Sequence, residues 1–298
     1  MQLRQKIFRA MASQCEIKLW SANAQQAEAG LRAAMAEVQR IEAKYSRYQA
    51  QSVISQINAN AGIKDTIVDA ETAALLDFAQ LCFEQSDGMF DITSGVLRRA
   101  WNFKSGRLPN QADIDALLPL IGWHKLNWQR PSVRLRLAGM QLDFGGFGKE
   151  YAADRAASVL IDAGLMHALV NLGGDVRVTG PQSDGTPWRV GIQHPRHADQ
   201  AIASIAINSG ALATSGDYER YMVINAKRYA HLLNPHTGYP IACAQSASVQ
   251  APLCVFAGAL ASCALLQGAA GLEFLRAQEV AFLWVDERGL LTSGCGFA

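Results

Sequence analysis

The sequence lacks an excess of either charge, since 27 basic residues stand against 26 acidic ones in a chain of 298. That balance provides no overall electrostatic field to attract nucleic acid or an acidic membrane surface. Charge blocks, internal repeats and proline- or serine-rich linkers are absent as well. We therefore expect a single domain over residues 1–298, with small molecules or a protein as partners and no nucleic acid.

Cysteine pairs of the CxxC kind are also missing, although the chain contains six cysteines, mostly within apolar sequence. This usage predicts reduced, buried thiols in a cytosolic protein. Basic residues near the amino terminus are not followed by an apolar h-region, so we expect neither a signal peptide nor a lipoprotein signal before Cys15. The sequence thus predicts a cytoplasmic location.

Residues 241–272 contain no charged side chain, yet they are rich in alanine, glycine, serine and cysteine, and three glutamines interrupt them. A membrane span needs about 20 strongly apolar residues. The composition therefore favours a buried core helix, and no stable membrane insertion is expected.

Several common catalytic signatures are absent too. The histidines show no HExxH spacing, and no GxSxG elbow occurs, so Ser215, in a turn of small residues, is expected to bind rather than attack. The dinucleotide fingerprint would need glycine at Tyr151. The Walker loop would need glycine at Asp143 and a hydroxyl residue after Lys149.

The most distinctive segment is residues 142–154, LDFGGFGKEYAAD. Apolar residues at helical spacing predict a helix with Lys149 and Glu150 in its first turn, and Gly164 can end it. The amino end would point N–H groups at whatever lies over residues 145–148, which suits an anion such as phosphate. A tight strand-to-helix turn without a ligand is the alternative.

Helices and strands are predicted in mixed order. Helices are predicted over Ala24–Tyr45, Ala70–Gln85 and residues 110–118. Strands are predicted at residues 15–20, 133–144 (two short strands), 167–172, 188–193, 201–208, 218–224 and 228–233. This order, rich in hairpins, predicts an α+β fold with a mixed or antiparallel sheet and packed helices.

A dense polar cluster covers residues 213–221 (ATSGDYERY) and 228–240 (RYAHLLNPHTGYP). His231 lies in a predicted strand, just before a turn formed by residues 234–238. A histidine so placed can act as a general base, or it can have a purely structural role.

Several motifs taken together resemble the ApbE family of FAD:protein FMN transferases. They are Met11, YSRYQAQSVISQIN, GMFDITSGVL, LDFGGFGKEYAADRA, LVNLGGDVRV with PWRVGIQHP, ATSGDYERY and YAHLLNPHTGYPI. They follow the family order from about residue 11 to residue 266, nearly the whole chain.

The resemblance implies an ApbE-type domain that binds FAD and, with magnesium, moves FMN onto a threonine or serine of a target flavoprotein and releases AMP. It also implies that His231 lies beside the reacting phosphate. The positions that match the family's FAD-binding residues are Met11, Tyr48, Met89, Phe90, Asp91, Asp143, Lys149 and Leu233. The attack on phosphorus calls for a base and for positive charge near the leaving AMP, for which His231 and Lys149 are candidates, supplemented by N–H groups of residues 145–148.

The chain departs from the family pattern at the metal site. The family's alanine-aspartate pair and following threonine correspond here to residues 257–262, AGALAS, so Gly258 replaces the aspartate and Ser262 the threonine. The ligands left are Ser262, the Gly146 carbonyl and phosphate oxygens, which predicts weak magnesium binding without nucleotide and tighter binding in Gly258→Asp. Glu150 either supplies the missing carboxylate or only stabilises the amino end of the helix through its interaction with the helix dipole.

Two other functions remain open. An FAD pyrophosphatase would use water in place of the acceptor hydroxyl. A non-catalytic FAD-binding protein would have lost the metal site.

Overall fold

The computed structural model describes residues 1–297, in which helices and strands occur in mixed order. The α-helices are α1 Ala24–Tyr45, α2 Val53–Ala59, α3 Ala70–Gln85, α4 Gln111–Leu117, α5 Gly148–Asp162, α6 Cys254–Leu266 and α7 Gly271–Ala277. The strands are β1 Gln2–Ala10, β2 Ser13–Ser21, β3 Thr66–Ile67, β4 Leu126–Gln129, β5 Ser132–Leu135, β6 Ala168–Leu172, β7 Asp175–Val178, β8 Trp188–Gln193, β9 Ala201–Ile207, β10 Gly210–Gly216, β11 Tyr221–Ile224, β12 Lys227–Ala230, β13 Ala244–Ala251, β14 Ala281–Asp286 and β15 Leu291–Gly294.

Eight strands form the central sheet, in the order β1-β2-β6-β7-β10-β13-β14-β15. Each neighbouring pair in this sheet is antiparallel. The helices α1, α5 and α6 pack on the sheet and share its main hydrophobic core. The predicted α+β fold with an antiparallel sheet and packed helices is therefore confirmed.

Helix α1 illustrates how the sequence builds the helical layer. The side chain of Asn23 caps it by accepting hydrogen bonds from the N–H groups of Gln25 and Gln26. Its buried residues recur every three or four positions, which places one apolar stripe against α5 and the sheet.

The other face of the sheet is covered by the β8–β9 hairpin. Residues Trp188, Val190 and Ile192 alternate with exposed positions along β8 and pack against sheet residues such as Val176 and Leu212. This strict alternation is typical of a strand with one buried face, which is why the sequence predicts β8 correctly.

A third hydrophobic cluster fixes the segment that leads to His231. The β11–β12 hairpin contributes Met222 and Tyr229, which pack with Leu97 and Trp101 from the 3-10 helix Ile92–Arg99 and the loop after it. Ile114 of α4 completes the same cluster. This packing holds the end of β12 close to the 3-10 helix.

The prediction of two strands in residues 133–144 is half wrong. Only Ser132–Leu135 is a strand, and residues 136–144, all within the described part of the chain, contain none. The side chain of Asn58 instead accepts from the N–H of Leu142 at 2.6 Å and donates to its carbonyl at 3.0 Å. The N–H of Asp143 donates to the carbonyl of Ile92. These bonds replace a strand ladder.

The uncharged segment 241–272 is only partly helical. Its first half contains β13, which lies between β10 and β14 in the sheet, and its second half contains α6. Nearly all residues of β13 are buried, so the sequence shows no alternation that would distinguish it from a core helix. Ser215 likewise lies on β10 rather than in a turn. Among residues 1–297, no helix is both long enough and apolar enough to cross a membrane.

Candidate active site

One cavity of about 490 Å³ lies between the β1–β2 turn, the amino end of α5 and the segment after β12. A volume of this size is typical of small-molecule sites. The residues singled out by the family resemblance all line it: Met11, Tyr48, Met89, Phe90, Asp91, Asp143, Gly146, Lys149, His231, Leu233 and Ser262. The fold therefore brings these positions together from across the chain.

Met11 reaches the cavity from a strained turn. Residues Met11 and Ala12 connect β1 to β2 and both have positive φ angles, 53° and 57°. Hairpin turns of this kind normally use asparagine and glycine, because other side chains are disfavoured in the left-handed region. The carboxylate of Glu42 accepts a hydrogen bond from the N–H of Met11 at 2.8 Å and helps to hold the turn.

The loop after α3 brings Phe90 and Asp91, two of the predicted FAD-binding residues, to the cavity, where their environments differ. Phe90 is only 5% exposed and its ring lies against Phe147 and the α-carbon of Gly146, where a β-carbon would meet it at 2.8 Å. The carboxylate of Asp91 accepts bonds from the N–H and hydroxyl of Thr93 and from the N–H of Trp123. Burial raises the pKa of Asp91, although these donors act in the opposite direction. Both residues shape the cavity wall.

The turn before α5 uses most of its N–H groups internally. The carboxylate of Asp143 accepts from the N–H of Gly145, and the carbonyl of Phe144 accepts from the N–H groups of Phe147 and Gly148. The expectation that the donors of residues 145–148 are available to a bound phosphate is therefore wrong for three of the four. The alternative interpretation, a tight turn into the helix, describes this backbone better.

Positive charge in the cavity comes from arginines rather than from that turn. Arg47 Nη1 lies 3.1 Å and Arg98 Nε 3.3 Å from Oδ2 of Asp143. Arg47 also donates to the carbonyl of Gly95 at 2.8 Å. Asp143 thus positions two guanidinium groups that line the cavity.

Lys149 lies among three acidic side chains, of which Asp175 and Glu150 are buried. Its Nζ is 2.8 Å from Oδ2 of Asp175. The carboxylates of Glu150 and Glu219 are also close enough to affect the pKa of Lys149. Burial alone would lower the pKa of Lys149, but the three carboxylates raise it above its ordinary value. Burial, followed by the charge of Asp175, raises the pKa of Glu150 to about 8.

His231 lies just beyond the end of β12, and its backbone N–H donates to the carbonyl of Arg220 at 3.0 Å. Within residues 1–297, Nδ1 of its ring is buried and has no hydrogen-bond partner. Burial first, and then the positive charges of Arg98 and Arg220, lower the pKa of His231 to about 3. The imidazole is therefore neutral at physiological pH, and a negative charge brought close to it would raise its pKa towards the range of an efficient base.

Helices α5 and α6 run antiparallel along this side of the cavity. Asp154 on α5 caps α6 by accepting from the N–H groups of Cys254 and Val255, both at 2.9 Å. Glu150 lies one turn before Asp154 on α5, and Gly258 lies one turn after Cys254 on α6. These two residues are in contact. Another turn along α6, the hydroxyl of Ser262 lies 2.7 Å from that of Ser215.

Sequence reasoning missed several residues that line or support the cavity. They are Arg47, Arg98, Asp175, Glu219 and Arg220. The available signal was their position in or next to the motifs YSRYQ, GMFDITSGVL, LGGDVRV and GDYERY, in which a charged side chain interrupts apolar or small residues. Among residues 1–297, no three or more histidine, cysteine, aspartate or glutamate side chains are arranged to hold a metal ion by themselves.

Comparison with known proteins identifies the family. The model of the ApbE family matches residues 11–284, which is most of the chain. The chain belongs to the ApbE family.

Individual relatives of the ApbE family agree with this result. The chain is 34% identical over 209 residues to an FAD:protein FMN transferase of Klebsiella pneumoniae (strain 342), a match that covers 68% of this chain and 64% of that protein. It is 29% identical over 310 residues to the FAD:protein FMN transferase of Treponema pallidum (strain Nichols), covering 94% and 84%. The chain thus spans slightly less than two thirds of the Klebsiella protein.

Solved ApbE structures share the whole fold. The ApbE protein of Thermotoga maritima MSB8 superimposes with a TM-score of 0.90 and 31% identity, covering 98% of this chain and 97% of that one. The apo form of the Pseudomonas stutzeri flavinyl transferase ApbE gives 0.87 and 25% identity, covering 98% and 95%. The family resemblance noted in the sequence is confirmed at the level of fold.

Proposed function

We propose that this ApbE protein transfers FMN from FAD to the hydroxyl of a threonine or serine in a target flavoprotein and releases AMP. The observation that carries the proposal is the single cavity that joins a neutral histidine, His231, to the cationic groups of Arg98 and Lys149. Relatives named FAD:protein FMN transferase support the same reaction.

The proposed reaction forms one bond and breaks one. The oxygen of the acceptor hydroxyl attacks the phosphorus on the FMN side of the pyrophosphate, and the bond from that phosphorus to the bridging oxygen breaks. The bridging oxygen leaves with AMP. The hydroxyl proton passes to the imidazole of His231, whose ring is neutral before the reaction.

Cationic side chains then stabilise the charge that the reaction moves. Arg98 is held beside Asp143, and Lys149 beside Asp175, so both cations are positioned before a ligand enters. Preorganised charge of this kind is more effective than charge that must reorient during the reaction. We assign Arg98 and Lys149 to the pyrophosphate and the departing AMP.

The polar atoms near Ser262 suit a hard cation, which prefers oxygen ligands. The paired hydroxyls of Ser215 and Ser262 lie on this wall, together with a buried carboxylate oxygen of Glu150. We propose that Ser262 and the carbonyl of Gly146 hold magnesium. Bound magnesium would neutralise part of the pyrophosphate charge.

The test is to incubate the purified protein with FAD, magnesium and candidate acceptor flavoproteins while AMP and covalently bound flavin are measured in parallel. We expect equal amounts of AMP and attached flavin, and no attachment to an acceptor whose threonine or serine is replaced by alanine. AMP with free FMN would instead indicate a pyrophosphatase. The absence of both products would indicate an FAD-binding protein without activity.

We also propose a cytoplasmic location, which rests on the six free thiols, four of them buried in the core. Fractionation of the source cells with an antibody to the native protein tests it. Recovery in the membrane or periplasmic fraction would contradict it.

A further inference from the structure

Glu150 is an unusual residue for the first turn of a helix, because it points inwards. It is only 7% exposed, it lines the cavity, and within residues 1–297 its Oε2 is fully buried without a hydrogen-bond partner. A buried carboxylate without a partner is costly, since it has lost its hydration and gained nothing in return. A residue with the usual role at a helix amino end would keep its carboxylate in solvent.

The neighbouring charges do not explain the position of Glu150. The nearby ammonium of Lys149 is engaged at 2.8 Å with Asp175. The carboxylate of Glu219, which lines the same cavity but is exposed to solvent, lies close to Lys149 as well. Three carboxyl groups therefore share one ammonium on this wall of the cavity, and a cation bound there would stabilise their ionised forms.

Gly258 shows where the carboxylate of Glu150 is directed. A β-carbon built on Gly258 would lie 2.6 Å from Cγ and 2.7 Å from Oε1 of Glu150, well inside van der Waals contact. Glu150 therefore fills the volume that a side chain at position 258 would enter. The antiparallel packing of α5 and α6, fixed one turn away by Asp154, sets this approach.

The same face of α6 carries Ser262 one turn beyond Gly258, because residues four apart share a face of a helix. Its hydroxyl faces Ser215 at 2.7 Å, and both serines line the cavity with Glu150. A carboxylate at the level of Gly258 and two hydroxyls at the level of Ser262, one turn further along α6, therefore line the same cavity, and all three offer oxygen atoms.

We propose that Glu150 is the carboxylate ligand of the divalent cation at this site, supplied by α5 in place of a side chain on α6. This inference rests on the proposed function only in taking the cation to bind together with the diphosphate of FAD. Glu150 then joins Ser262, the Gly146 carbonyl and phosphate oxygens in the ligand set, and water would complete the octahedron that Mg²⁺ requires.

The proposal reverses one expectation from the sequence. An added side chain at position 258 meets Glu150, so Gly258→Asp alone displaces the existing carboxylate rather than adding a second one. Tighter metal binding is therefore expected only when Glu150 is removed at the same time.

The test titrates Mn²⁺, followed by electron paramagnetic resonance, into the full-length protein with saturating FAD and no acceptor. Glu150→Gln should weaken Mn²⁺ binding by about tenfold or more, because a charged ligand becomes a neutral amide. Glu219→Gln is the matched control, since it removes the same charge from the same cavity without touching position 258. The double variant Glu150→Ala/Gly258→Asp should recover most of the lost affinity.

A second readout separates a ligand from a structural residue. In EDTA, Glu150→Gln should melt at the same temperature as the unaltered protein or higher, because the amide has the shape of the carboxyl group and Oε2 has no hydrogen bond to lose within the described part of the chain. A lower melting temperature in EDTA, with unchanged Mn²⁺ affinity, would overturn the proposal.

If Glu150→Gln and Glu219→Gln weakened Mn²⁺ binding equally, the proposal would also be overturned. The loss of affinity would then come from the negative charge of the cavity as a whole and not from a ligand. A failure of the unaltered protein to bind Mn²⁺ with FAD present would overturn the proposal as well. If Glu150→Gln alone weakens Mn²⁺ binding but no flavin is transferred to any acceptor, the ligand assignment stands and the transferase function fails.

Discussion

The Nζ atom of Lys149 lies 2.8 Å from Oδ2 of Asp175, a residue that is 2% exposed. The backbone N–H of Thr214 donates to the other oxygen of Asp175 at 3.2 Å, so the carboxylate ties α5 to strand β10. This buried pair connects the helix that begins at the cavity with the middle of the sheet.

Breaking the pair should destabilise the fold. We expect Asp175→Asn to lower the free energy of unfolding by about 3 kcal/mol, the usual cost of leaving one member of a buried pair uncompensated. Lys149→Met should cost more, because Asp175, Glu150 and Glu219 then lose their shared neutralising charge. Urea denaturation measures both. The exposed pair of Arg276 and Glu273 is the control, and Arg276→Met should change stability by less than about 1 kcal/mol.

Replacing His231 should affect catalysis rather than ligand binding. We expect His231→Ala to slow flavin transfer by roughly a hundredfold while FAD affinity stays the same, because the imidazole accepts a proton only during the reaction. His236→Ala provides the control from the same segment, since His236 is exposed outside the cavity. Unchanged turnover in His231→Ala would leave His231 with a structural role.

Acid should destabilise the protein partly through His231. The unfolded chain takes up a proton on this residue below about pH 6.5, whereas burial and the neighbouring arginines keep the folded-state pKa near 3. Between these values the unfolded state binds more protons, so the contribution of His231 to stability is complete above pH 6.5 and is lost as the pH falls. The stability difference between the unaltered protein and His231→Asn should shrink over this range, as measured by urea denaturation at several pH values. A constant difference would contradict the shifted pKa.

Two aromatic residues predicted to bind FAD should respond differently to truncation. Tyr48 is 81% exposed at the cavity, so Tyr48→Ala should weaken FAD binding by about tenfold, as expected for a lost stacking surface, without lowering stability. Phe90 is packed against Phe147, so Phe90→Ala should lower the free energy of unfolding by about 3 kcal/mol or more.

Flavin fluorescence and urea denaturation measure the two effects separately. Tyr221→Ala removes another exposed tyrosine that lies outside the cavity lining. It should leave FAD affinity unchanged and lower stability by about 1 kcal/mol at most, the usual worth of an exposed cation–π contact such as that with Arg228. The role assigned to the cavity requires that the unaltered protein binds FAD saturably. If the unaltered protein bound no FAD at millimolar concentration, the role assigned to the cavity would be wrong.

The sequence predicted the elements whose pattern is local. Helices α1 and α3 and strand β8 have the expected bounds, because each buries one face and the apolar period is visible in a single segment. It did not predict β1 or the split of residues 241–272 into β13 and α6. A strand buried on both faces gives no alternation, and the exposed strand β1 depends on pairing with β2.

The sequence by itself determined the family and the family-matched residues of the cavity, because the motifs are contiguous and keep their order, but it did not indicate Arg47, Arg98 or Arg220, which also line the cavity. Tertiary structure decided the surroundings of those residues and their charge states. The neutral state of His231 depends on burial and on Arg98, which a separate 3-10 helix brings close. The contact between Glu150 and Gly258 depends on the register of two helices, set by Asp154. Both relationships join positions far apart in the chain, and side-chain packing in three dimensions creates them.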